Sequence, residues 1–214
     1  MRRSKPAISL VVAALLAALL AGSCAQQRMQ SSLQPAGPSP KFHATSYINE
    51  GKVFRFLVDV RAARLLGPTE ILPLMVAFEN KTQPLWTINR ESFILELPDG
   101  TTLPLMSSEE YEKDYNRERS DLRASQPFIE AMAGRYPQPP FIWLALDFFP
   151  VKHTGVFPRQ DIESRTGHLI HGFLYFRLPT VPDEQGRYKL LLKPQEHEET
   201  FVVDFEPFKE SKKP

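Results

Sequence analysis

The side chains able to do chemistry in this chain are few, and their spacing limits what they can do together. There is one cysteine, Cys24, and there are five histidines, at positions 43, 153, 168, 171 and 197. Only His168 and His171 stand close together. Both lie in an alternating run that reads as a strand, where three residues apart means opposite faces. A single metal ion cannot be gripped from both faces, and a zinc site needs three or four converging ligands. No metal site is expected; His168 should sit at the strand entrance and His171 on the surface. The chain contains no HExxH, GxSxG, phosphate-loop or GxGxxG pattern, so no cofactor is called for. One polar group remains, Asp161, Glu163, Ser164 and His168, in a loop before a strand. Ser, His and Asp can be drawn from separate positions into a triad, so a hydrolase centred on this loop is the alternative to a non-catalytic role. The simpler reading is a solvated polar loop, because no feature of the sequence perturbs a pKa there.

Cys24 has a context of its own. A basic start (Arg2, Arg3, Lys5) precedes an apolar run from Ala7 to Ala21 broken only by Ser9, and small residues lead into Cys24. That is the layout of an export signal, and the run falls short of the roughly 20 residues that cross a bilayer core. Leu20-Ala21-Gly22-Ser23-Cys24 resembles the lipobox of bacterial lipoproteins, departing from it at Ala21, where the family usually has Leu. The resemblance implies a signal peptide over 1–23 and a cysteine that is acylated and becomes the new N-terminus. Dozens of methylenes at about 0.8 kcal/mol each would then hold the chain to a lipid bilayer. Ala25 in the next position implies, by the same resemblance, the outer membrane facing the periplasm in a diderm host. With that thiol acylated, the exported part has no disulfide framework and no thiol nucleophile, and packing must stabilise it.

The 214 residues, 42% of them hydrophobic, suffice for one domain with a core. The formal charge of +1 hides a leader without acids; beyond residue 24 the balance turns slightly acidic. No basic stripe is present, which excludes nucleic acid as a partner. Residues 24–41, rich in Gln, Ser and Pro, read as the lipidated cysteine and a disordered tether. A domain over 42–208 and a frayed terminus over 209–214 follow, the charged stretch 196–199 reading as a solvated turn.

Within that domain, Phe54, Phe56, Val58 and Val60 alternate against Arg55 and Asp59, the pattern of a half-buried strand. Leu74, Val76 and Phe78 begin a second strand, which a turn over 80–84 connects to Trp86 and Ile88. Phe93, Leu95 and Leu97 meet Asp99-Gly100, the signature of a two-residue type I′ hairpin that returns over Thr101–Leu105. Leu169–Leu178, Tyr188–Leu192 and Phe201–Phe205 complete seven or eight strands and suggest an antiparallel sandwich. A helical insertion over about 108–133 interrupts them, opened by a Ser107/Glu110 capping box and broken or restarted at Pro127. Tyr111, Tyr115 and Leu122 are its stripe to bury. The stretch 140–150 fits helical spacing (Phe141, Leu144, Ala145, Phe148) slightly better than a buried strand. Trp86, Trp143, Phe149, Phe157 and Tyr175 sit in apolar runs and should pack the core.

The segment LMVAFENKTQPLWTINRESFILELPDGTTLPL is similar to the front half of immunoglobulin-like sandwiches of uncharacterised envelope lipoproteins, and GHLIHGFLYFRLP to a later strand of such domains. The resemblance implies a mainly β, immunoglobulin-like sandwich in the cell envelope and carries no activity. One strand stands out, because Leu169, Phe173 and Tyr175 form an apolar face opposite Ile170, Leu174 and Phe176. Either the helical insertion covers that face or it is a partner surface. The expected function is thus a membrane-anchored, non-catalytic module that binds or scaffolds other envelope proteins, with a periplasmic hydrolase using 161–168 as the alternative.

Overall fold

Alternation in the sequence becomes strand wherever one side of the run can be buried. The computed structural model describes residues 37–82, 85–150, 158–180 and 186–208. The leader 1–23, Cys24, the tether as far as residue 36, His153, Phe157 and the 209–214 tail lie outside the described residues. The strands among those described are β1 (Lys41–His43), β2 (Ser46–Glu50), β3 (Phe54–Asp59), β4 (Ile71–Asn80), β5 (Trp86–Asn89), β6 (Phe93–Glu96), β7 (Thr102–Pro104), β8 (Ile142–Ala145), β9 (Asp161–Ser164), β10 (His168–Arg177), β11 (Tyr188–Leu192) and β12 (Phe201–Phe205). The α-helices among the described residues are α1 (Arg61–Leu66), α2 (Ser108–Asp114) and α3 (Glu118–Arg135), and Arg90–Ser92 makes one turn of 3-10 helix.

A six-stranded sheet runs β1-β2-β3-β4-β10-β8, a four-stranded sheet β12-β11-β6-β7, and β5 pairs with β9 alone. All pairings are antiparallel except that of β8 with β10. The chain is therefore mainly β. Phe54, Phe56 and Val58 of β3, Leu74, Val76 and Phe78 of β4 and Leu174 and Phe176 of β10 meet Phe93, Leu95, Leu190, Leu192, Val203 and Phe205 of the smaller sheet in one core. Each such burial contributes roughly 1.5–3 kcal/mol. Phe54 is an aromatic hub, with ring centroids 4.4 Å from Phe201, 4.8 Å from Trp86 and 5.8 Å from Phe78.

The other face of the large sheet is covered as well. Phe128, Met132 and Tyr136 of α3 pack on Ile48, Leu57, Met75, Ala77 and Leu169. The half-buried strand expected over 53–60 is therefore buried on both sides, with Asp59 inaccessible to solvent. The Asp59 carboxylate accepts from Thr45 Oγ1 at 2.5 Å, Ser46 Oγ at 3.0 Å and, from α3, Ser125 Oγ at 3.4 Å. These hydroxyls are what make a buried carboxylate tolerable.

Four further expectations are corrected. The 99–100 turn is a three-residue loop: Gly100 N donates to Leu97 O, Leu97 N donates to Thr101 O, and Gly100 has φ +85°. Pro98, with its ring-fixed negative φ, occupies the first central position, and the glycine supplies the left-handed residue that follows. Residues 142–145 form strand β8 rather than helix, because a partner is available in β10. Pro127 lies inside a continuous α3, where the burial of Asp121, Ser125, Phe128 and Met132 outweighs the hydrogen bond its ring removes. The fold also begins before Phe42, since Ser39 exchanges two hydrogen bonds with Asp204 and Pro40 O accepts from Ile48 N. The capping box at Ser107 forms as read, with Ser107 Oγ accepting from Glu110 N and Glu110 Oε2 from Ser107 N.

Candidate functional site

β10 turns Leu169, His171, Phe173, Tyr175 and Arg177 toward the helices, and they are covered unequally. Leu169 is fully buried under α3. Tyr175 is buried under α2, its ring 4.7 Å from Tyr111, 4.8 Å from Tyr115 and 5.1 Å from Phe149. Arg177 pairs with Glu110 and Asp114, and Met106 N donates to Tyr175 O, so α2 is strapped over this end of the strand. Phe173 lies between the two covered zones and stays half-buried, stacked 5.8 Å from Tyr175.

A cleft of about 360 Å³ opens above it. Met75, Gly172, Phe173 and Tyr175 line it from the sheet, Leu122 and Ile129 from α3, and Leu146 and Phe149 from the segment after β8. Glu118, Arg119, Asp147 and His171 add the polar part of the lining. The volume is at the small end for an organic-ligand pocket, and an apolar lining with a few polar groups is the usual composition.

Two of those polar groups are incompletely satisfied. Glu118 Oε1 and His171 Nδ1 are both buried and have no hydrogen-bond partner. His171 also meets the Trp143 ring edge-on at 5.2 Å. Burial holds its pKa below the ordinary value, and the nearby Asp147 pulls the other way. It is thus a cleft residue rather than the surface residue expected from spacing. Behind the cleft, Asp121 Oδ2 accepts from Tyr115 Oη at 2.5 Å and Tyr175 Oη at 3.3 Å. Burial raises the Asp121 pKa against the effect of those hydroxyls. Burial also raises Tyr111, whose hydroxyl stands near Glu118.

The sequence patch Leu169, Phe173 and Tyr175 is thus divided: Phe173 and Tyr175 line the cleft and Leu169 does not. The 161–168 group is not assembled. Asp161–Ser164 is a strand whose alternation exposes Asp161 and Glu163 and buries Ser164 completely. Ser164 Oγ has no hydrogen-bond partner, and His168 Nδ1 accepts from Arg165 N at 3.3 Å. No serine–histidine pair exists there for nucleophilic attack. Trp86 packs in the core, Trp143 is half-buried on the outer face, and Phe149 and Tyr175 wall the cleft. Glu118, Arg119 and Asp147 were not singled out by sequence, since isolated charges on a helix end or loop carry no pattern. Among the described residues, no cluster of three or more His, Cys, Asp or Glu could hold a metal ion, and no helix is long and apolar enough to cross a membrane.

No protein-family model matches the chain, and no curated protein matches it. Among solved structures it is similar to ycdA, a candidate lipoprotein of Bacillus subtilis, with a TM-score of 0.39 and 11% identity over 75% of this chain and 38% of that one. It is also similar to the yjhA protein of Bacillus subtilis, with a TM-score of 0.36 and 11% identity over 73% of this chain and 93% of that one. The chain thus spans less than half the length of the first of these. Resemblance at this level assigns no role.

Proposed function

We propose that this chain is a lipid-anchored envelope protein whose folded domain is a non-catalytic binding module, with the cleft over Phe173 and Tyr175 as its binding site. One observation carries the binding part: an apolar cleft of about 360 Å³ whose lining includes buried polar atoms without partners. Buried polar atoms are ordinarily satisfied, and an unsatisfied pair at a cleft suits a ligand that completes it. The anchor part rests on the leader layout and on Leu20-Ala21-Gly22-Ser23-Cys24. The immunoglobulin-like assignment of the sandwich, attachment at the outer membrane and contact with other envelope proteins belong to the same reading.

Two measurements test it. The intact mass of the protein from its own membranes should equal a chain beginning at Cys24 plus a diacylglycerol and an acyl chain; a free thiol in the aqueous fraction overturns the anchor. A photo-crosslinking phenylalanine analogue at Phe173 should yield adducts in native membranes above those from the exposed Leu65. Equal yields from the two positions overturn the cleft assignment.

A further inference from the structure

Resting on the reading of the cleft as a binding site, we infer that its ligand is a primary ammonium carried on a small apolar or aromatic body. Asp147 in the cleft lining is held by Arg159, 3.9 Å away, which leaves Glu118 facing only the guanidinium of Arg119, exposed to solvent that screens it. The unmet hydrogen bonds point the same way. The Tyr111 hydroxyl stands beside the Glu118 carboxylate, but the Oε1 atom of that carboxylate stays buried without a donor, and a carboxylate oxygen can only accept. His171 Nδ1 is in the same position, and the imidazole can present a lone pair there.

Aromatic rings supply the rest of the recognition. Tyr111, Phe149, Phe173 and Tyr175 all line the cleft, with Tyr111 4.8 Å from Phe149 and 4.7 Å from Tyr175. Ring faces attract cations, and an ammonium brings a positive charge together with three donors. A quaternary ammonium would bring the charge without donors, leaving Glu118 Oε1 unmet. A carboxylate would bring only acceptors and would face Glu118. A neutral alcohol would satisfy one oxygen and leave the charge uncompensated. The volume of about 360 Å³ limits the body to about one ring with a short chain.

The experiment titrates the full chain with 2-phenylethylammonium, 2-phenylethanol and 3-phenylpropanoate, followed by calorimetry and by fluorescence of Trp143, which stands beside His171. The ammonium is expected to bind at least tenfold more tightly than the alcohol, and the carboxylate most weakly. Glu118→Gln should erase that tenfold preference, while Glu118→Asp should restore part of it. The ratio of two ligands on one variant does not depend on how much of that variant is folded. Equal affinity for the three probes in the native chain, or an ammonium preference that survives Glu118→Gln, overturns the inference. If those equal affinities are all abolished by Phe173→Glu, the cleft remains a binding site for apolar bodies and only the ammonium assignment falls. If no probe binds, both fall.

Discussion

Gly172 sits in the middle of β10, where the chain leaving β8 crosses close above it, and replacing it with alanine measures how tightly the cleft wall is built. Leu146 N donates to His171 O at 2.7 Å, which draws the two backbones together. A Cβ at residue 172 would meet Leu146 Cβ at 2.7 Å, its carbonyl oxygen at 2.8 Å and its Cα at 3.2 Å. Comfortable carbon contacts lie at about 3.5–4.0 Å, so the overlap approaches about 1 Å. Two of the three atoms are backbone, so a rotamer change cannot relieve it. Overpacking of this kind costs about 1–3 kcal/mol, against roughly 0.5–1 kcal/mol returned by removing a strand glycine. The net should be a loss of about 1 kcal/mol, which lowers Tm by about 2–4 °C in a domain of this size. Thermal unfolding followed by circular dichroism reads it. Gly134→Ala is the control: an alanine there meets nothing within 4 Å and should stabilise α3 by up to about 1 kcal/mol. Should Gly172→Ala leave Tm unchanged or raised, the crossing of Leu146 over β10, and the cleft wall with it, is wrongly placed.

Phe54→Ala should cost about 3–5 kcal/mol, because it empties the hub between Phe201, Trp86 and Phe78; a loss below about 1 kcal/mol in denaturant titration would refute that packing. His171 predicts a pH effect. Burial holds its folded pKa below the ordinary histidine value of 6.5, so the unfolded chain binds its proton first. The stability it contributes is present above that value and is lost as pH falls through 6.5 toward the folded pKa. His171→Gln should therefore lose less stability than the native chain between neutral pH and pH about 5; parallel curves would show that the imidazole is not desolvated. Asp59→Ala should destabilise by about 1–3 kcal/mol, through the hydroxyls of Thr45, Ser46 and Ser125 that it leaves unmet; a neutral result in urea unfolding would contradict the buried network.

Strands were legible where burial on one side left an alternating trace. β10, β11 and β12 match their sequence runs to within a residue or two, and the alternation of Phe93 and Leu95 places β6 correctly. Legibility failed where both faces are covered. Asp59 reads as solvent-facing because its hydroxyl partners come from Thr45, Ser46 and, 66 residues away, Ser125. α3 was misread for a related reason. Its buried stripe, Asp121-Ser125-Phe128-Met132, keeps helical spacing but is half polar, so counting apolar residues finds Tyr111 and Tyr115, which are buried, but adds Leu122, which is 53% exposed. α1 has only six residues and left no periodic signal. As for the cleft, Phe173 and Tyr175 could be found as an apolar face, since strand periodicity is local. Glu118, Asp147 and His171 could not, because their meeting depends on β8 pairing with β10 and on where α3 begins.

Titration with 2-phenylethanol, a neutral probe, measures whether the cleft accepts an apolar body, without reference to charge. Saturable binding at one site is expected, weakened at least tenfold by Phe173→Glu in a variant whose unfolding temperature is that of the native chain. No saturable binding, or equal binding by the two proteins, would contradict it.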